Sequence, residues 1–427
     1  MRILILNQPF HPDVVATAQI AKDLADDLVA RGHNVTAIAS RSIYGQSGAS
    51  LPKRETVDGI EIIRVGVSVF GKKSTLGRLA DFANYYIQAA LRGLFMRRFD
   101  VVICLTTPPY IAIVGLLMRT FRGSRVVYWL MDIYPDVMAA HGMLQERSLL
   151  YRFLRRLHRS VLKRVDRTIV LGRCMRQRLL DQGASSDGIE VVPVWSVSDD
   201  DADAGDAPAP DNPYRVEWGV DDRLLIMYSG NFGLAHDVDT FLDAAERMKA
   251  DDRIRFAFVG GGKRKGDVEA SVRDRGLSNC ILAEYQPRER LADLLAAADI
   301  QLVTMLPEWW GLVVPSKFFG VAAAGRPVLF IGPEQSEIGR SIEEWDCGER
   351  FSPGESERLA GVLTDLAGRR SDLGPMGRRG RERARVAASR RVCAGRIVEI
   401  VEELARPGAR ASVSSDSVAP GSGEGRY

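Results

Sequence analysis

The chain is predicted to be an α/β protein of two Rossmann-like, doubly wound domains that face a cleft. Three observations predict this. The N-terminus reads as strand, helix, strand: an apolar run at residues 3–6, a one-sided helix over 18–30 and a second apolar run at 35–39. The pattern restarts beyond residue 213, with strands at 224–228 and 255–259 around a helix over 239–249. A length of 427 residues suits two or three domains with large cores. Such βαβ units imply parallel sheets, whose ligands lie beyond the carboxyl ends of the strands. Two units in tandem therefore suggest a nucleotide in one half of a cleft and a second substrate in the other.

In the first domain, set at 1–198, the opening helix has Thr17 as N-cap, Ala21, Leu24, Ala25, Leu28 and Val29 as its apolar face, and Gly32 just past its end. The loop at 8–19 lies at a strand's carboxyl end, where a ligand would sit. Strands follow at 60–65, 101–105, 125–130, 168–171 and 191–193, and helices at 75–98, 111–121, 149–164 and 174–182. Residues 199–211 are acidic and proline-bearing, so 199–213 reads as a solvated linker or loop. The second domain, 214–384, adds a glycine-rich basic loop at 260–265, a short strand at 281–282, a helix over 288–298 and a strand at 300–304. A C-terminal helix at 385–405 and a disordered tail at 406–427 complete the prediction.

The most informative stretch is 307–330, read as loop, helix, turn and strand. Pro315 suits a first helical turn because it has no N–H to leave unpaired. Free amides there favour an anion, and Ser316 and Lys317 add a hydroxyl and a charge. Gly325 and Pro327 stop the helix. This is the anatomy of a phosphate-binding corner.

Composition narrows the function classes. Net charge is only +3, but arginine concentrates between about residues 92 and 180. The five cysteines form no CxxC pair, so neither a metal site nor a disulfide framework is expected, and a reducing compartment is. The N-terminal apolar run is too short for a signal peptide, and no run approaches the roughly 18 apolar residues of a membrane span. A cytoplasmic protein is expected.

The segments LNQPFHPD, RGHNV, MDIYPD, YSGNFG, FVGGGKRKGDVE, YQPRERLADLLAAADIQLV and VPSKFFGVAAAGRPVL, in this order, resemble the retaining glycosyltransferases of family 4, which have the GT-B fold. The resemblance covers roughly residues 1–400, and is nearest to WbuB-like enzymes of cell-surface polysaccharide assembly. It implies a hexosyltransferase-type enzyme that moves a sugar from a UDP-sugar, such as an N-acetylated hexosamine, with retention at the anomeric carbon. The leaving diphosphate is then stabilised by fixed donors. No cofactor or metal is implied beyond the donor substrate.

The resemblance assigns donor contacts to Gly230, Asn231, Gly233, Gly261, Gly262, Lys263, Lys265, Ser316 and Lys317, with Tyr285 and Gln286 beside the base. The family's paired glutamates are replaced by Leu312 and Gly320. Glu308, four residues early, is the remaining acid for a donor-sugar hydroxyl, and at least one of Trp309 and Trp310 lines a sugar or acceptor pocket. Asn231 and His236 stand where the family has Arg and Lys. On the N-terminal side, Asp132 is the candidate for a sugar hydroxyl or for taking a hydroxyl proton, and His11, Asp13, Thr17 and Asp136 for the acceptor. His33, His141 and His158 have no role in this reading.

The helix over 149–164 carries Arg152, Arg155, Arg156, Arg159 and Lys163 among apolar residues, either a solvated basic face or an anchor on anionic lipid. Residues 70–79 are a second candidate for that surface. No nucleic-acid recognition motif accompanies the charge. A lipid-linked saccharide acceptor on the inner face of the cell membrane is the first expectation. The alternatives are a sugar-nucleotide-binding assembly subunit with little activity and an enzyme acting on a soluble small molecule.

Overall fold

The computed structural model describes residues 1–43, 50–66, 75–195 and 207–406. The acidic stretch 199–206, the loop residues 70–74 and the tail 407–427 lie outside the described residues.

Two sheets form. The first contains β1 (Arg2–Leu6), β2 (Asn34–Ser40), β3 (Arg54–Val57), β4 (Ile60–Val65), β5 (Val101–Cys104), β6 (Arg125–Leu130), β7 (Arg167–Val170) and β8 (Ile189–Val191). Their order is β3-β4-β2-β1-β5-β6-β7-β8. The second contains β9 (Leu224–Asn231), β10 (Ile254–Gly261), β11 (Cys280–Ala283), β12 (Ile300–Thr304), β13 (Val328–Ile331) and β14 (Gly348–Phe351), in the order β11-β10-β9-β12-β13-β14. All pairings are parallel except β3 with β4. Strand order reverses beside β1 in one sheet and β9 in the other. Those switch points are where a doubly wound sheet binds its ligand.

The predicted strands are present, although the one expected at 191–193 lies at Ile189–Val191; most are apolar runs that a sheet covered on both faces can bury. Ile3–Leu6 and Val101–Cys104 are fully buried. Two polar edge strands escaped the periodicity. Arg54–Val57 joins β4 through Asp58 and Gly59, both at positive φ, as a two-residue hairpin turn requires. Gly348–Phe351 is the other. Thr17 is not an N-cap: the first helix spans Ala16–Ala30, begins after Val15 and has no side-chain cap.

The C-terminal region departs from expectation. In place of one helix from 385 there are two, Leu373–Ala387 and Arg390–Ala405, broken at Ala388 and restarted with Ser389 as N-cap. The second returns to the first domain. Arg390 pairs with Asp23 and Asp27 on helix Ala16–Ala30, His33 meets Glu402 at 3.0 Å, and Ile397 and Val401 are buried in the core that includes β5 and β6.

The domains touch along one side of the cleft. The Ile133 N–H donates to the Leu312 carbonyl at 3.1 Å. Gly311, at φ 71°, lies so close to Cys174 that an added Cβ would stand 2.9 Å from its carbonyl oxygen. The buried Glu337 carboxylate accepts from the backbone N–H and guanidinium of Arg173, which also pairs with Glu344.

Candidate active site

The site is built where β9, β10 and the helix Lys317–Ala323 meet. β9 and β10 run side by side to their ends, and a Cβ on Gly260 would stand 1.9 Å from the Gly230 carbonyl oxygen. Gly262, at φ 132°, is equally confined: its Cβ would fall 2.4 Å from Asn231 Oδ1. Only glycine lets the two loops lie this close. The Phe232 N–H donates to Gly261 O at 2.7 Å and the Arg264 N–H to Phe232 O at 3.0 Å, which locks the loops together.

Lys317 projects into this corner. Its Nζ is buried without a hydrogen-bond acceptor, 3.5 Å from the centroid of the Tyr228 ring. The same amine would stand 3.5 Å from a Cβ on Gly230. Burial pushes its pKa well below the usual lysine value. A neighbouring His236 hydrogen-bonds through Nδ1 to Thr304 O at 2.9 Å. Burial, and then the Lys317 charge, hold His236 down to about 3, so it is neutral at physiological pH. The corner therefore holds one desolvated amine with no anion of its own, the arrangement that a ligand phosphate completes.

Several expected donor residues stand differently. Pro315 precedes the N-cap, Ser316, and does not occupy the first turn. The helix is only seven residues long and Ser316 makes no cap hydrogen bond, so the phosphate argument rests on Lys317 more than on a helix end. Lys265 opens a helix, Lys265–Asp274, and is paired with Glu284 and Glu269. Carboxylates already satisfy it, whereas Lys263 is exposed on the glycine loop. Tyr285 is exposed and its ring covers Gly261, but the Gln286 amide oxygen accepts from the Tyr214 hydroxyl and its NH2 donates to Glu284 O. Glu308 is exposed on a short turn, Pro307–Trp309. Trp309 is buried, and Trp310 is half-buried with its indole N–H unpartnered. Gly233 is packed against the Asn231 amide and the His236 ring.

On the opposite wall, Asp132 follows β6 and adjoins Ile133, which bonds the Leu312 carbonyl. Burial pushes the Asp132 carboxyl up to about 6, against a smaller opposing pull from the Thr106 hydroxyl. A cleft carboxyl shifted toward neutrality in this way is suited to proton exchange with a ligand hydroxyl. Asp136 is different. It is buried with Oδ1 accepting from Arg178 at 3.1 Å and Gln182 at 2.9 Å, a brace inside the domain rather than an open acceptor contact. Asp13 is buried with Oδ1 accepting from the Val15 N–H at 3.2 Å, and the His11 carbonyl accepts from buried Arg64. Thr17 is half-buried in the first helical turn.

Sequence reading passed over His141. It ends the short helix Asp136–Ala140, and its ring meets Trp309 of the other domain edge-on at 4.6 Å. Only the pairing of two residues 168 positions apart reveals it, so no local signal was available.

In the helix Leu149–Leu162, Arg152, Arg156 and Lys163 just beyond it are exposed, while Arg155 and Arg159 are half-buried. Leu149, Leu150 and Phe153 are exposed beside them. The adjoining helix Ala112–Arg122 exposes Leu117 and Phe121, and the next, Thr75–Phe95, exposes Ile87, Leu91 and Phe95. No helix among the described residues is long and apolar enough to cross a membrane.

Two Rossmann-like domains, with a desolvated lysine where the glycine-rich ends of two parallel strands lie side by side, form a two-domain α/β architecture, and comparison with known proteins identifies its class. Residues 16–195 match the family model "Glycosyl transferase 4-like domain", and residues 212–366 match "Glycosyl transferases group 1". The chain belongs to the glycosyltransferases of the GT-B fold, and is an enzyme of the hexosyltransferase type. It is similar to a Pseudomonas aeruginosa protein described as a probable glycosyltransferase, WbjE: 29% identical over 276 residues, 63% of this chain and 66% of that one. It is also similar to an Escherichia coli K12 protein described as "Putative colanic acid biosynthesis glycosyl transferase WcaI", with 24% identity over 80% of this chain and 86% of that one. Among solved structures, Anabaena HepE in complex with UDP and glucose superposes with a TM-score of 0.70 at 15% identity, covering 94% of this chain and 99% of that one. WaaG, a glycosyltransferase of lipopolysaccharide biosynthesis, gives 0.65 at 19% identity, covering 93% and 99%. At these identities the structural likeness speaks for the fold.

Proposed function

We propose that this enzyme transfers a sugar, with an N-acetylated hexosamine as the leading candidate, from a UDP-sugar to a lipid-linked saccharide during cell-surface polysaccharide synthesis. Transfer proceeds with retention, as in the WbuB-like enzymes, at the inner face of the cytoplasmic membrane. The observation that carries the reading is the Lys317 amine, buried over Tyr228 with no hydrogen-bond acceptor. A diphosphate placed there gives it a counter-charge, and the same contact stabilises the charge that grows on the leaving group. Lys263 and the adjoining glycine-rich ends of the two strands, at Gly230 and Gly260–Gly262, flank the phosphates, and Tyr285 adjoins the base. Neutral His236 stays uncharged beside Lys317. Asp132, across the cleft, holds a hydroxyl of the sugar or acceptor. The UDP complex of HepE supports the donor class, and the colanic acid biosynthesis description of WcaI supports a role in cell-surface polysaccharide synthesis.

A lipid-linked acceptor is supported by the exposed arginines and the apolar residues interleaved with them. Each basic residue near an anionic surface contributes about 1 kcal/mol, and exposed Phe and Leu add interfacial burial. Two measurements test the reading. Purified protein should hydrolyse or transfer from a UDP-sugar in a panel of UDP-, GDP- and ADP-sugars, and failure with every donor refutes it. Flotation with anionic liposomes should be strong at low salt and weak at high salt, and no flotation at low salt refutes the lipid acceptor.

A further inference from the structure

His141 belongs to the N-terminal domain, but its surroundings come from the other one. Its ring meets the Trp309 indole edge-on, 4.6 Å between centroids at 78°. Trp309 is 3% exposed, so this wall is fixed. The His141 backbone is fixed too: its N–H donates to Val137 O at 3.0 Å, and Gly142, at φ 69°, turns the chain away with a bond to Ala139 O at 2.8 Å. Lys263, on the glycine loop beside the phosphate corner, is near enough for its charge to act on the ring. Yet Nδ1 is enclosed and has no hydrogen-bond partner in the protein. A polar nitrogen left unpaired beside a fixed aromatic wall calls for a partner, and a ligand hydroxyl can supply one.

We propose that His141 is a specificity-determining residue whose ring hydrogen-bonds a hydroxyl of the sugar carried by the donor. The inference rests on the donor site of the proposed function. A sugar joined to a diphosphate near Lys317 and Lys263 extends from the phosphates, and Trp309 with His141 gives it one aromatic wall and one polar contact. Burial, and secondarily the Lys263 charge, lower the His141 pKa, so the ring is neutral at physiological pH. A neutral imidazole pairs with a hydroxyl in either tautomer, because a hydroxyl both donates and accepts.

The test compares UDP with UDP-glucose, UDP-galactose and UDP-N-acetylglucosamine by calorimetric affinity, in wild type, His141→Phe and His141→Asn. The wild type should bind a UDP-sugar more tightly than UDP. His141→Phe keeps an aromatic ring against Trp309 and should leave UDP affinity within about twofold while losing roughly tenfold in affinity for the UDP-sugar. His141→Asn should recover part of the loss. In wild type, the His141 ring 15N resonances should shift with UDP-sugar and not with UDP alone, a readout independent of how the variants fold. Equal weakening of UDP and UDP-sugar in His141→Phe, or an unchanged sugar increment, overturns the inference alone. A wild type that binds neither UDP nor any UDP-sugar overturns it together with the donor reading.

Discussion

Replacing Lys317 with methionine separates what this residue costs the empty protein from what it gives the complex. Met keeps most of the length and apolar volume of the side chain and removes the amine. In the unliganded enzyme Nζ is buried with no acceptor, and the Tyr228 face offsets only part of its lost hydration. An unsatisfied buried polar group costs about 1–3 kcal/mol, so K317M should raise the Tm of the empty protein by a few degrees. The same change removes a charge-assisted contact of about 1.5–3 kcal/mol to the diphosphate, a loss of roughly 10- to 150-fold in UDP affinity. Turnover should fall at least tenfold. The pH dependence has a determined sign. Lys317 titrates well below 10.5 in the folded protein, so between that lowered pKa and 10.5 the unfolded chain binds more protons. The contribution of Lys317 to stability therefore becomes more favourable as pH rises through this window, and K317M should abolish that dependence. A bound diphosphate raises the Lys317 pKa, so UDP binding takes up protons and its affinity falls with rising pH, by at most about tenfold per pH unit for one proton. Thermal unfolding and calorimetry in buffers of differing ionisation heat measure all of this. A K317M protein that is less stable when empty and binds UDP like the wild type would falsify the reasoning.

Other residues give separable outcomes. Asp132→Asn should lower kcat by about 100-fold or more if the carboxylate takes the acceptor proton. With its pKa raised to about 6, wild-type activity should then decline as pH falls through 6, and the variant should lose that limb of the pH–rate profile. Lys265→Ala should leave UDP affinity within about twofold because Glu284 and Glu269 already occupy the amine, whereas Lys263→Ala should weaken UDP by severalfold; the reverse order contradicts the assignment. Arg173→Ala leaves the Glu337 carboxylate without its cation at the domain contact. With Arg173 38% exposed, a loss of about 1–2 kcal/mol is expected, seen as faster amide exchange in the helices Arg173–Asp181 and Glu337–Trp345.

The strands and the helix start around Lys317 were legible in the sequence because their signals are local. Apolar runs such as Leu224–Tyr228 and Ile300–Thr304 can only be buried strands, and Lys317 sits beside a Pro-Ser signal that marks a helix start. What escaped depends on distant partners. Lys265 reads as part of a basic loop until Glu284 is seen beside it. Asp136 resembles a ligand until Arg178 and Gln182 are found on it. Arg54–Val57 was hidden by its polar edge, although Asp58-Gly59 carried the hairpin signal. His141 has no local signal, because Trp309 meets it from the other domain.

The return of helix Arg390–Ala405 to the first domain has a consequence for how the molecule is made. Ile397 and Val401 complete a core begun by residues near the N-terminus, and Arg390 completes the ion pairs of Asp23 and Asp27. During synthesis the first domain therefore waits, one wall open, while nearly four hundred residues emerge. The second sheet, whose strands lie between Leu224 and Phe351, can close earlier. The N-terminal domain is thus finished last, and a stop codon near residue 388 would spare the second sheet while leaving the first domain with an exposed apolar seam.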